Sequence, residues 1–406
     1  MKNKIVNWWL TPKFPQKHID NLFLYNPTGI KNKIRNYYRT WIVHPLKRRF
    51  SKVYLQFLQS CCNLKVISIT GSSGKTTTKE MLASILSLEG ETVYSYANID
   101  PVYNIPTTIL RCTPKTKYLI LEFGVEYPNE MDFYLWLAKP NVGIITNIYP
   151  THTKFLHDVN GVCKEKSKLV RKMDSKSVAV LNFENLYLRK LNKKLESKII
   201  WFGKESANFA SNIKINSDFS TQFILNYGLK KAKILIPIAG EQFVSDALAA
   251  ISAAFALSVN VNNIKKGLRS FNECDHRMSI KKLKSGAILI DDSYNNNPES
   301  AKMAIRTLKE ISKDKKSVLV FGDMLELGKD EIKYHKEVAA VAKVNNIDHV
   351  VSVGNLSKII ANKRSNVFSN WEKALPKVKE LSKEKVAILI KGSRGMQLDK
   401  IVDKLN

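Results

Sequence analysis

Between Lys65 and Met81 the chain runs KVISITGSSGKTTTKEM, the stretch whose residue types and spacing are best suited to chemistry. Val66, Ile67 and Ile69 form the β-branched run of a buried strand, and Gly71 and Gly74 allow a tight turn with inward-facing N–H groups. Such N–H groups, backed by the positive end of a helix dipole, hold a polyphosphate. Lys75 would reach the phosphates, and the Thr76 hydroxyl would sit on a magnesium ion bridging them. The general phosphate-loop pattern asks for a glycine five positions before Gly74, where Ile69 stands. A Gly/Ser turn with a solvated lysine is therefore the competing reading, and the strand before and helix after the turn weigh against it.

Other positions could join this loop. Glu122 follows the apolar run Tyr118 to Leu121, where an acid has no packing task and where nucleotide enzymes place a magnesium-binding carboxylate. His152, in NIYPTHTKF, could be a metal ligand, although a lone loop histidine is more often solvated. Lys166, in GVCKEKSKLV, is by itself an ordinary lysine on a charged helix. Asp291 and Asp292 precede an asparagine-rich turn and Pro298 in ILIDDSYNNNPES. That turn either contacts a ligand or caps a helix.

The elements that must position these residues alternate in type. Strands are expected at Thr92–Tyr96, Tyr118–Leu121 and Val142–Thr146, then at Val178–Asn182, Lys198–Phe202 and Phe223–Tyr227, with helices at Thr77–Leu88 and Phe243–Leu257. The pattern restarts near Asn272. Strands at Ala287–Asp291, Ser317–Phe321, His349–Val353 and Val386–Ile390 then alternate with helices such as Pro298–Ile311 and Asp330–Lys343. This is an α/β chain with mainly parallel sheets, and ligands bind at the carboxyl ends of such strands. Lys75, Glu122 and the loop from Asn147 to His152 are thus expected to converge. Three segments are expected: a basic extension over 1–62, a central domain over 63–272 and a second α/β domain over 273–406.

Composition bounds the function. With 406 residues, 44% hydrophobic and 25% charged, the chain has enough length and apolar content for two or three globular domains. The longest nearly apolar run, Ala247 to Val259, is too short to span a bilayer. No signal peptide is visible, and five cysteines without metal-ligand spacing fit a reducing cytoplasm. The net charge of +29 comes largely from lysines scattered over helical segments, which argues for solvated faces and against nucleic acid as the partner. Residues 1–62 differ, holding 12 Lys/Arg, one acid and 11 of the 38 aromatic residues. There Trp8, Trp9, Phe14, Phe23, Tyr37, Tyr38, Trp41 and Phe50 interleave with basic residues. Peripheral contact of residues 1–60 with an anionic membrane is one reading. Docking of the aromatics on the next domain is the other. A helix is expected from Asn32 to Gln59, broken at Pro45.

Taken in order, TGSSGKTTTKEML, LILEFG, ITNIYPTH, KEKSKL, HRM, DDSYNNNPES, FGDMLELG and KGSRGM resemble the Mur ligase family of ATP-dependent amide-forming enzymes. The resemblance covers about residues 64 to 406 and is greatest to the branch that uses D-alanyl-D-alanine. It implies a P-loop ATPase-type central domain and a C-terminal Rossmann-like α/β domain. It also implies ATP and Mg2+ as cofactors, a muramyl peptide and D-alanyl-D-alanine as substrates, and a monomer. In the implied reaction ATP phosphorylates a carboxylate, an amine attacks the acyl phosphate, and an amide, ADP and phosphate result. Gly71, Ser72, Ser73, Gly74, Lys75, Thr76 and Thr77 would hold ATP, with Thr76 and Glu122 on the first magnesium ion. His152 matches a ligand of the second, and Lys166 matches a lysine that the family carbamylates into a further anionic ligand. Arg277, Tyr294, Asn295 and Asn297 match nucleotide-contacting positions of the last domain.

Departures from the family pattern accompany the resemblance. Gln242 and Asp246 stand where histidine and asparagine are usual, so Asp246 would meet the nucleotide without an amide group. Asn104 replaces a glycine and Lys168 an acid. The uridine-nucleotide-binding domain expected at the N-terminus is not recognisable in the basic extension. Two further readings follow: a ligase acting on another, lipid-linked carboxylate, and a weakened enzyme serving as a membrane-associated binding protein.

Overall fold

The computed structural model describes residues 30–96, 100–192, 195–272, 275–361 and 366–405. Trp8, Trp9, Phe14 and Phe23 lie outside the described residues. The chain folds into two compact units.

The first unit takes residues up to 148, with 160–202 and 249–267. Its strands are β1 (Lys65–Thr70), β2 (Thr92–Tyr94), β3 (Tyr118–Glu122), β4 (Val142–Ile145), β5 (Val178–Asn182) and β6 (Lys198–Phe202). They run parallel in the order β2-β3-β1-β4-β5-β6. Val66, Ile67, Ile69, Leu119, Ile120, Leu121, Ile144 and Ile145 are fully enclosed, as expected when helices cover both faces of a parallel sheet. The phosphate loop leaves the carboxyl end of β1 and enters the helix Lys75–Leu86. β3 pairs with β1 so that Ile69 lies opposite Glu122. Adjacent pairing therefore carries Glu122 to the end of the sheet where the loop begins.

Ahead of β1 the chain is helical from Ile30 to Cys61, including a π-helical turn at Arg39–Val43. The helix is not broken at Pro45. Pro45 lies in the first turn of the helix His44–Cys61, where no amide donor is needed, and the wide turn before it accommodates the ring.

The second unit takes residues 149–159, 203–248 and the chain from 268 onward. It contains an antiparallel run of β7 (Asn208–Ile215), β8 (Thr221–Tyr227) and β9 (Lys230–Ile236). Its other sheet comprises β10 (Ser279–Lys282), β11 (Ile288–Asp292), β12 (Lys316–Gly322), β13 (His349–Val353), β14 (Val367–Phe368) and β15 (Val386–Lys391). The order is β10-β11-β15-β12-β13-β14, antiparallel only at β10. Val318, Val320, Ile388, Ile390, Val378 and Leu398 form part of its core. The expected Phe223–Tyr227 strand lies in β8, whereas β7 and β9 have no counterpart in the sequence reading. Their outward lysines and asparagines interrupt the apolar pattern from which strands are recognised.

Candidate active site

The phosphate loop is held from the neighbouring strand. Ser72 N–H donates to the Asn147 carbonyl (3.1 Å), and Ser73 N–H donates to Asn147 Oδ1 (2.9 Å). Asn147 Nδ2 and the Thr146 hydroxyl both donate to the Ser73 carbonyl, at 3.2 and 2.6 Å. Gly71 has φ +154° and packs so closely that an added Cβ would lie 1.9 Å from Thr146 Oγ1. Gly74, at φ 78°, turns the chain into the helix through the left-handed region. Lys75 Nζ donates to the Gly71 carbonyl (3.1 Å), folding the side chain back over the loop.

Beside this loop the Thr76 hydroxyl donates to Glu122 Oε1 at 3.1 Å. Thr76 and Thr77 are buried. Glu122 N–H donates to Ser95 Oγ (3.0 Å), and Lys79 Nζ, fully buried, donates to the Ser95 carbonyl (2.7 Å) and stands 3.9 Å from Glu122 Oε2. A hydroxyl and a carboxylate oxygen are the hard donors that Mg2+ takes while its other positions go to water and phosphate. Among the described residues no three His, Cys, Asp or Glu side chains gather as a metal cluster. A nucleotide-bridging Mg2+ does not need one.

Lys166 is brought to the same unit and is almost completely buried, with Nζ 3.5 Å from the Val125 carbonyl. Burial, then the positive charge of Lys75, pull its pKa down to about 7, opposed by Glu130, Glu126 and Glu165. Burial likewise raises Glu130 to about 7, although its carboxylate accepts the Glu126 and Tyr127 N–H groups. Lys168 does not leave a stray charge. It pairs with Asp132 (2.6 Å) and Glu165 (2.7 Å). Asn104 is buried and donates to the Tyr96 carbonyl (2.8 Å).

The remaining expected site residues fall in the second unit. His152 Nδ1 lies 2.6 Å from Glu326 Oε2, and the same loop binds the following turn: Lys154 N–H donates to the Glu326 carbonyl and the Thr153 hydroxyl to that of Leu327. Asp246 is buried, and Gln242 Oε1 accepts from the Thr307 hydroxyl (3.3 Å). Arg277 stacks its guanidinium 4.1 Å from the Tyr294 ring centroid. In the asparagine-rich turn Asn297 caps the helix Pro298–Ser312 through a capping box with Ser300. Asn295 Oδ1 accepts the Asn296 N–H (2.8 Å), while Lys391 Nζ donates to Asp292 (2.5 Å) and to the Asn295 carbonyl (3.1 Å). Asp291 accepts from Ser293 and lies against His276 Nδ1 (2.7 Å).

Sequence reasoning did not assign Asn147, Lys79, Ser95 or Glu326 to these contacts. Asn147 could have been found, because it follows the strand next to β1. Lys79 and Ser95 act through their positions on neighbouring elements and carry no local signal.

A phosphate loop on a parallel sheet, with an acid from the adjacent strand, defines a nucleotide-dependent α/β enzyme. The chain belongs to the Mur ligase family: residues 69–254 match the Mur ligase middle domain and residues 276–394 the glutamate ligase domain of Mur ligases. It is 37% identical to the UDP-N-acetylmuramoyl-tripeptide–D-alanyl-D-alanine ligase of Buchnera aphidicola subsp. Baizongia pistaciae, over 84% of this chain and 75% of the relative. The Escherichia coli enzyme of the same name is 32% identical, over 84% and 76%. The crystal structure of MurF from Acinetobacter baumannii superposes with a TM-score of 0.82 at 29% identity, covering 89% of this chain and 80% of that one.

Proposed function

We propose that the chain is an ATP-dependent ligase that joins D-alanyl-D-alanine to a UDP-MurNAc-tripeptide and acts as a monomer. The proposal carries with it a central domain over 63–272 and a C-terminal domain over 273–406. The similarity to ligases of that name supports the substrates, and the Thr76–Glu122 contact beside the phosphate loop carries the chemistry.

In this reading the loop from Gly71 to Thr77 holds the triphosphate through the Lys75 ammonium and through N–H groups other than those of Ser72 and Ser73, which Asn147 engages. The acceptor carboxylate attacks the γ-phosphorus and ADP leaves. The amine of D-alanyl-D-alanine then adds to the acyl carbon, losing a proton, and phosphate departs to leave the amide. Bound Mg2+ would supply charge neutralisation between the carboxylate and the triphosphate. Thr76 and Glu122 would hold one ion and carbamylated Lys166 another, while His152 matches a position that ligates a metal ion in the family. Arg277, Tyr294, Asn295, Asn297 and Asp246 match nucleotide-contacting positions in the family.

Carbamylation requires a neutral amine that attacks CO2 and releases a proton. A lysine with its pKa near 7 supplies that amine at neutral pH, where an ordinary lysine does not.

Phosphate release requiring ATP, UDP-MurNAc-tripeptide and D-alanyl-D-alanine together, with the pentapeptide product seen by mass spectrometry, is the expected result. Release with a different acceptor only would replace the substrate assignment, and no turnover with any acceptor would overturn the ligase reading.

A further inference from the structure

The helix His44–Cys61 has two opposed faces. One carries Pro45, Arg48, Ser51, Leu55 and Leu58, all buried. It docks on the first unit: Lys47 Nζ donates to Thr107 Oγ1 (2.8 Å), the Tyr54 hydroxyl to the Cys112 carbonyl (2.8 Å), and the Arg48 guanidinium lies 5.6 Å from the Phe133 ring centroid. At about 100° per residue, Leu46, Phe50, Val53 and Phe57 fall on the opposite side of the cylinder. They are 52%, 65%, 64% and 49% exposed.

The outward stripe continues through Ile42 to Tyr38, Tyr37, Ile34 and Ile30, so that nine of the sixteen exposed large apolar side chains among the described residues belong to this one helical segment. Such clustering marks an interaction surface, since scattered apolar residues need no partner. Eight Lys/Arg and no acid lie between Ile30 and Cys61. Lys31, Arg35 and Arg39 are exposed beside the stripe, while Arg49 and Lys52 flank it further along and lie over the Trp136 ring.

We infer that the face formed by Leu46, Phe50, Val53 and Phe57, extended by Ile30 to Ile42, seats the protein on an anionic lipid surface. Continuous helix from Ile30 to Phe57, with one π-helical turn at Arg39–Val43, gives the stripe a length of roughly 40 Å at the rise of an α-helix. Its uniform positive charge complements acidic headgroups and repels a second copy of itself. No helix of the described residues is long and apolar enough to cross a membrane. The contact is therefore interfacial, with the apolar side chains entering the headgroup boundary. It depends on the helix geometry alone and stands apart from the ligase reading.

Flotation of the full chain with vesicles, without ATP or substrates, tests the contact. The wild type should float with mixed phosphatidylglycerol–phosphatidylcholine vesicles and not with phosphatidylcholine alone, and added salt should weaken binding. Phe50→Ser/Val53→Ser/Phe57→Ser, on exposed positions and checked by an unchanged thermal melt, should bind on the order of tenfold or more weakly. Equal flotation of the variant would overturn the assignment. So would a wild type that ignores anionic vesicles, whether it self-associates through this face or is taken up by an acidic protein instead.

Discussion

The phosphate loop and the N-terminal helix are both attached to the first unit, but in different ways. The loop is fixed by four hydrogen bonds between Ser72 and Ser73 on one side and Thr146 and Asn147 on the other, and by a glycine that tolerates no Cβ. The helix is fixed along one narrow face, and its opposite face is apolar and exposed. In the loop, neighbours impose the backbone geometry that leads into Lys75 and Thr76. In the helix, side chains do the attaching. Damage to the loop should therefore appear as lost turnover, and damage to the docked helix face as lost stability.

The largest effect is expected at Lys166. Lys166→Ala should lower kcat by roughly 10³-fold, the scale of losing a charged group that stabilises the transition state, and a short carboxylic acid should restore part of it. Unaltered turnover would remove the carbamate assignment. Gly71→Ala should raise KM for ATP on the order of 100-fold, because the Cβ collides with Thr146 Oγ1 and the backbone leaves its φ of +154°. Isothermal titration with ADP measures the same loss directly. If ADP binds the variant normally, the loop is not the rigid cradle described.

The contrast sharpens at Leu55, which is 1% exposed on the docking face. Leu55→Ala should cost about 2–5 kcal/mol of unfolding free energy, as for other buried leucines, read from urea unfolding. The KM for ATP of the folded fraction should stay as in wild type. A large rise in KM would show that helix and loop are coupled and break the comparison.

The two regions also differ in how far the sequence disclosed them. Glycine spacing between a β-branched run and a helix start marks the phosphate loop, and Glu122 stands out because an acid ends an apolar strand. Lys166 is different. Nothing in GVCKEKSKLV distinguishes a buried lysine from a solvated one, since its burial comes from the chain around Val125 and Glu130, far away in sequence. Asn297 shows the opposite ambiguity: a sequence rich in asparagine suggests ligand contact, and the structure uses this side chain as a helix cap. For the N-terminal helix, the sequence suggests a helix from Asn32 to Gln59 but not which face docks, because both faces carry apolar residues. The departures at Lys168 and Asn104 look damaging in isolation and are absorbed by partners, Asp132 and Glu165 for one and the Tyr96 carbonyl for the other.

The smallest expected effect separates the regions by pH. His44 opens the docked helix, packs 4.6 Å from the Tyr103 ring centroid, and has its pKa lowered from 6.5 to about 4 by burial and then by Arg39, Lys47 and Arg48. In the unfolded chain the imidazole binds a proton below pH 6.5, while the folded chain resists it until about pH 4. Between these values the unfolded state holds more protons, so stability is fully present above the upper limit and falls as the pH drops towards the lower. Because the ring is half-buried and solvent screens part of the shift, about 1–2 kcal/mol should be lost. His44→Gln should lose that much less than wild type when urea midpoints at pH 7 and near pH 4 are compared. An equal loss in both would place the acid sensitivity elsewhere and leave the helix docked by apolar contact alone.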